Sequence, residues 1–396
     1  MEHRIQTGSE RHNEMINWRH DIHAHPEIAY QEFRTSDKVA KILTNLGLVV
    51  DRGLGGTGVV ATLKGKLGQG KTIGLRADMD ALPMTELNTF SHCSTHQGKM
   101  HACGHDGHTT MLLGAASYLA SSPEFKERNF AGTIHFIFQP AEENEAGAKA
   151  MIEDGLFDKF PVDAIFGLHN WPDLPAGQAA VHHSAVMAAF DTFDITITGQ
   201  GGHGAMPHMS CDPILAASLI TTALQSVVSR NIDPQKAGVV SVTQIAGGNA
   251  YNIIPEKAEL KGTTRSFCPD VRDQIEARMK TIVHSIAEAQ GCKAEFNYSR
   301  RYPATINTFA EAELCRAVLE SQSDVANVMI NPPASMGGED FAFMLEDNPG
   351  CYIWLGNGHQ KNNYSLHNPN YDFNDQILPL GANYWVSLVE HFLNLK

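Results

Sequence analysis

One stretch restricts what this chain can fold into more than any other: the apolar run Gly132-Thr133-Ile134-His135-Phe136-Ile137-Phe138, followed at once by Gln139-Pro140-Ala141-Glu142-Glu143. The run is too short and too rich in β-formers for a helix, and Pro140 ends it, so it reads as a buried strand. Neighbouring extended residues point their side chains in different directions. One carboxylate of the Glu142-Glu143 pair can therefore hold a metal while the other faces the water on that metal. Adjacent acids after a strand are ordinarily just solvated, and it is their company that argues for hydrolytic chemistry.

Upstream lies His101-Ala102-Cys103-Gly104-His105-Asp106-Gly107-His108, and downstream are Gly167-Leu168-His169-Asn170 and Ser365-Leu366-His367-Asn368. Imidazole and thiolate suit zinc, manganese, nickel or cobalt far better than magnesium or calcium, and Cys103 with His105 can bind one ion or two neighbouring ones. Most of the chain's 20 histidines must be surface or hydrogen-bonded residues, and His12, His20, His92 and His284 read that way. The dense cluster around Cys103 does not.

At 396 residues the chain exceeds what one core usually organises, so two domains are expected. A net charge of −14 with no basic run argues against a nucleic-acid surface or a polybasic membrane patch. The polar start Met1-Glu2-His3-Arg4 does not read as a signal peptide, and no stretch is apolar enough to span a bilayer. Seven scattered cysteines form an odd set without a disulfide rhythm, which predicts reduced thiols and a cytoplasmic location.

A helix carrying Val39, Ile42, Leu43 and Leu46 stops at Gly47. Strands are predicted at Gly58 to Lys64, Thr72 to Ala77, before Glu142, and at Asp163 to Leu168, with a helix from about Thr109 to Ala120. This order predicts an α/β layer with a largely parallel sheet, with Asp78, Glu142 and His169 each just past a strand's carboxyl end, where such sheets bind ligands. Between Phe190 and Tyr298 the rhythm changes to βαββαβ. A strand at Tyr352 to Leu355 before His367 then implies that the last segment folds back onto the first. The expected layout is a discontinuous catalytic α/β domain, residues 1–186 and 301–396, with an inserted βαββαβ lid or dimerisation domain at 187–300.

With Leu75-Arg76-Ala77-Asp78-Met79-Asp80-Ala81-Leu82-Pro83, Gly201-Gly202-His203, Asn252-Ile253-Ile254-Pro255 and Gly337-Gly338-Glu339-Asp340-Phe341 added to the clusters above, nearly the whole chain resembles the metal-dependent N-acyl-amino-acid amidohydrolases of the hippurate hydrolase type. These are similar in turn to the aminoacylase and glutamate-carboxypeptidase metallopeptidases. The resemblance implies that Cys103, His105, Glu143, His169 and His367 ligate one or two divalent ions (manganese, zinc, nickel or cobalt) and that Glu142 is the general base. It also implies that His203, often supplied by a partner subunit, reaches the reacting centre, and that Asn252 and Arg265 bind the substrate carboxylate. Relatives carry a ligating His-x-Asp where this chain has Asp78-Met79-Asp80, and Cys103 makes up the difference in the hippurate hydrolase branch. Asp80 is expected to orient a ligand from behind. The implied partners are small N-acyl amino acids, benzoylated or acetylated, and further copies of the chain in a homodimer or homotetramer. The alternatives are an N-acetyl-diaminopimelate deacetylase, a small-peptide carboxypeptidase, or a non-catalytic metal-binding relative, the last disfavoured because a binding module needs no base.

Overall fold

The computed structural model describes residues 4–143, 145–358 and 364–395. The chain divides into two compact units. The first comprises Met1–Ser184, Ile306–Pro333 and Phe343–Lys396, and the second Ala185–Thr305 and Ala334–Ala342. Each has its own apolar core, one gathered around Leu75, Phe136, Phe166, Ile353 and Trp385, the other around Ile195, Ile220, Leu260 and Ile275.

The first unit is built on an eight-stranded sheet. Its centre runs Thr133–Gln139, Thr72–Asp78, Ala164–Pro175 and Gly350–Gly358, and these strands are mutually parallel. Antiparallel pairings join Gly58–Lys64 to Thr133–Gln139 on one side and Gln178–Val181 to Gly350–Gly358 on the other. The predicted parallel character thus belongs to the middle of the sheet. From Ile134 to Gln139 every residue is buried, as expected of a strand covered on both faces.

Among the boundaries that differ from expectation, two shape the site. The helix expected from Thr109 starts at His105, so it spans His105–Ser121. Gly104 turns the chain into it with φ of 91°, and a Cβ there would lie 2.2 Å from Asn170 Nδ2, so that position needs glycine. The strand expected to stop at Leu168 continues to Pro175, so His169 lies within it. Its pairing with Thr72–Asp78 ends at Gly167 while its pairing with Gly350–Gly358 continues, so His169 has a strand partner on one side only.

In the second unit, Ala189–Thr198, Gly238–Gly247, Lys257–Ser266 and Lys293–Tyr302 form a four-stranded antiparallel sheet covered by helices Pro213–Ser226 and Pro269–Ala289. The element order is βαββαβ. Ala334–Ala342, expected in the second catalytic segment, groups with this unit instead. Backbone hydrogen bonds from Ala188 to Ser335 and Gly337 hold it, together with Arg265 Nε donating to Met336 O. Among the described residues no helix is long and apolar enough to cross a membrane, and the seven cysteines are free.

Candidate metal centre

Pro140 ends the strand, and Ala141 follows at a φ of 54°, with its carbonyl accepting from Gly147 N at 2.9 Å. This elbow delivers Glu142 and Glu143. Glu143 is tied down through its backbone, whose N–H donates to Asp80 Oδ2 at 2.9 Å, while its Oε1, buried without a hydrogen-bond partner, faces His367 Nε2 at 3.2 Å. Glu142, almost fully buried, brings Oε2 to 4.0 Å from His105 Nε2. His367 reaches the cluster because its backbone N–H donates to Ala102 O at 2.8 Å, in a left-handed conformation with φ of 62°.

Hydrogen bonding decides which histidines have a nitrogen to spare. His105 Nδ1 donates to Asp80 O at 2.9 Å and approaches Asp80 Oδ1 at 3.2 Å, which leaves Nε2 buried with no hydrogen-bond partner. His169 Nδ1 donates to Asn170 O at 2.7 Å, and its Nε2 faces Cys103 Sγ at 3.4 Å. His108 is spent at both ends, with Nδ1 on Asp78 Oδ1 at 2.7 Å and Nε2 accepting from Asn170 N at 2.9 Å. Asp78 gives its other oxygen to Arg76 Nη1 at 2.7 Å. So although Asp78, His105 and His108 are close enough to form a metal-binding triad, two of the three are already committed.

Within the first unit, among the described residues, three overlapping triads are left: Cys103 with His105 and His169, Cys103 with Glu143 and His367, and His105 with Glu142 and Glu143. In each, the potential ligand atoms lie within 4.8 Å of one another. They share Cys103, His105 and Glu143, which is the geometry of adjoining cation positions. An unpartnered imidazole nitrogen in a dry site is costly unless something accepts its lone pair, and a transition metal does so. The donor set of thiol, imidazoles and carboxylates fits such an ion, with Asp80 holding one imidazole from behind.

The electrostatics agree. Burial, reinforced by Glu143, Glu142 and Asp78, pushes the Cys103 thiol well above its usual range, so a thiolate there requires a cation. Burial also holds His169 well below the usual imidazole range, leaving it neutral as a ligand must be. For His105, burial opposes protonation, but Asp78 and Asp80 outweigh it and push the ring up to about 10, so a bound cation would take the place of the proton on Nε2. The pocket attracts positive charge.

The remaining expected site residues belong to the second unit. His203 is exposed on the short strand Gly202–His203 and pairs with Ile253; Gly204 N donates to the carbonyl of Asn252 at 2.8 Å, so His203 and Asn252 are near neighbours. Arg265 lies over the Phe190 ring at 4.4 Å. Its Nε donates to Met336 O at 3.0 Å and its Nη1 to Thr264 O at 2.8 Å and to Thr263 Oγ1, so Nη2 has no hydrogen-bond partner among the described residues. Glu339 accepts from Phe341 N at 2.9 Å, a helix-start cap.

Sequence reading did not single out the scaffold behind the ligands: Arg76, His108, Asn170 and Tyr371, whose hydroxyl donates to Asn170 Oδ1 at 2.6 Å. His108 was visible as a histidine three residues after His105, but nothing in the spacing tells a ligand from its support.

Comparison with known proteins gives a consistent result. Residues 74–391 match the model of Peptidase family M20/M25/M40. Hippurate hydrolase of Campylobacter jejuni is 42% identical over 375 residues, covering 95% of both chains. N-acetylcysteine deacetylase of Bacillus subtilis is 38% identical over 379 residues, covering 95% of this chain and 96% of the relative. A crystal structure of a Bacillus subtilis protein described as a dinuclear metal-binding peptidase from the M20 family superposes with a TM-score of 0.83 at 34% identity, covering 97% of this chain and 99% of that one.

Proposed function

Because the chain belongs to Peptidase family M20/M25/M40, we propose that it hydrolyses the amide bond of N-acyl amino acids of the hippurate type, with a benzoyl or acetyl acyl group. The observation that carries this reading is the division of labour in the acidic pair: Glu143 is anchored through its backbone to Asp80 with an unpartnered Oε1 turned to His367, while Glu142 stands buried beside the unpartnered nitrogen of His105. Cys103, His105, Glu143, His169 and His367 would hold one or two divalent ions of the manganese, zinc, nickel or cobalt class. When bound, such an ion lowers the pKa of water toward neutrality and polarises the amide carbonyl.

The chain's own residues do the rest. Glu142 accepts the proton of the attacking water at its carboxylate and delivers it to the departing amine nitrogen. The developing negative charge on the former carbonyl oxygen needs a donor, and His203 is assigned that task. Asn252 and Arg265 bind the substrate's α-carboxylate, Arg265 through Nη2. Asp80 keeps His105 in the tautomer that leaves Nε2 bare.

A homodimer or homotetramer belongs to the same reading. Strand Gly238–Gly247 is an edge of its sheet, and Leu215, Leu219 and Ile245 are exposed on that unit. A deacetylase or carboxypeptidase specificity is the second reading, because relatives bearing those names are 38% and 39% identical, close to the 42% of the hippurate hydrolase. The deciding experiment combines elemental analysis of the purified protein with turnover on benzoyl and acetyl amino acids, N-acetyl-diaminopimelate and dipeptides. Benzoylglycine should be cleaved by metal-loaded enzyme and spared after chelation. Loaded enzyme that cleaves none of the panel would refute the reading.

A further inference from the structure

Glu32 has no part in the chemistry above, yet its carboxylate is fully buried and wholly engaged. Oε1 accepts from Ala141 N at 2.9 Å and from Tyr30 N at 3.1 Å, and Oε2 pairs with Thr57 Oγ1 at 2.7 Å. Ala141 immediately precedes Glu142. It is a non-glycine residue at φ of 54°, a strained conformation that persists only where its surroundings over-determine it. The same short segment grips the loop again further on, where the Tyr30 hydroxyl donates to Glu145 O at 2.8 Å. A carboxyl group taken out of water is an expensive way to satisfy two backbone amides and a hydroxyl. One of those amides belongs to the elbow from which Glu142 projects.

We infer that Glu32 is a positioning residue for the general base: by accepting the Ala141 N–H it holds the left-handed elbow that aims the Glu142 carboxylate. This rests on Glu142 being the base. The role is geometric and does not depend on charge. Burial pushes the Glu32 carboxyl up to about 7, and both of its forms make the same contacts. Ionised, it accepts all three hydrogens; neutral, Oε1 still accepts the two amides while Oε2–H donates to Thr57 Oγ1. A glutamine reproduces the neutral pattern, with its amide N–H taking the place of the acid proton. An aspartate keeps the charge but withdraws the acceptor from Ala141.

The test measures kcat, KM, metal content and thermal midpoint for metal-loaded Glu32→Ala, Glu32→Asp and Glu32→Gln beside Glu142→Gln. A base displaced by about an ångström should cost ~10–100-fold in turnover, so Glu32→Ala and Glu32→Asp should lose that much kcat with KM and metal stoichiometry retained. Glu32→Gln should recover kcat to near the parent value, with an unchanged pH profile. If Glu32→Ala does not accumulate as folded protein, the contrast between Glu32→Asp and Glu32→Gln decides. Parent-like kcat in Glu32→Asp, or a Glu32→Gln enzyme as slow as Glu32→Asp, would overturn the inference. So would a loss confined to thermal midpoint or metal content. Parent-like kcat in Glu32→Asp beside an inactive Glu142→Gln would remove the positioning role and leave the base in place. An active, metal-loaded Glu142→Gln would remove both.

Discussion

The candidate ligand cluster of the first unit and the candidate substrate contacts of the second are held in opposite ways. Cys103, His105, Glu142 and His169 are buried, and His105 and His169 are each fastened through the nitrogen turned away from the cluster. His203 and Asn252 are exposed and positioned chiefly by backbone pairing in a short two-stranded ladder. A metal site gains from ligands that cannot relax, since their orientation is arranged before the ion arrives. Groups that meet a substrate need an open surface. The difference predicts that damage to the first unit will register in metal content or chemistry, and damage to the second in transition-state stabilisation or substrate affinity.

The most severe way to test that division is Glu142→Gln, which should lower kcat by ~10²–10⁴-fold while metal content by mass spectrometry stays at the parent value. Loss of metal in this variant would make Glu142 a ligand and blur the contrast with Glu143. His203→Ala comes next, with a fall of ~10²–10³-fold expected in kcat and little change in KM. Mixing His203→Ala with Glu142→Gln subunits should restore activity if His203 is supplied by a partner chain; verified subunit exchange without recovery would assign it to its own chain. Asp80→Ala should weaken metal binding by ~10–100-fold in competition with a chromogenic chelator, because Glu143 loses its backbone anchor and His105 Nδ1 loses the carboxylate that supplements the Asp80 carbonyl. Unchanged affinity would show that the ligands need no such bracing. The smallest effect belongs to Arg265→Ala: one charge-assisted contact through Nη2 on a half-buried side chain amounts to roughly tenfold in KM for substrates with a free α-carboxylate, and to nothing for their amides. Equal losses for acids and amides would make Arg265 a structural tie to Met336 and Phe190.

Much of this contrast can be read from the chain itself, for identifiable reasons. The run Thr133 to Phe138 declares a buried strand through composition alone, and Pro140 marks its end because proline has no N–H to continue the ladder. The βαββαβ rhythm between Phe190 and Tyr298 is legible because alternating strands and amphipathic helices differ in period. Boundaries were less legible. The helix begins at His105 and not near Thr109 because the first turn is buried throughout and shows no amphipathic edge, and the strand through His169 outlasts its apolar run because Gly350–Gly358 continues to pair with it.

What the sequence determined by itself, then, is the set of donor types, their order along the chain, and the alternation of elements that places strand ends near one another. Composition and periodicity are local properties, and they are sufficient for that. Only the tertiary structure decided which donors are free to act. His105 and His108 are three residues apart on one helix and chemically identical, yet one keeps a bare nitrogen and the other has none, because Asp78 and Asn170 come to His108 from two different strands. The same holds for Glu32, whose bond to Ala141 spans 109 residues of chain. Hydrogen bonds between distant segments leave no periodic trace in a sequence, and it is those bonds that distinguish His105 from His108 and hold the backbone just ahead of Glu142.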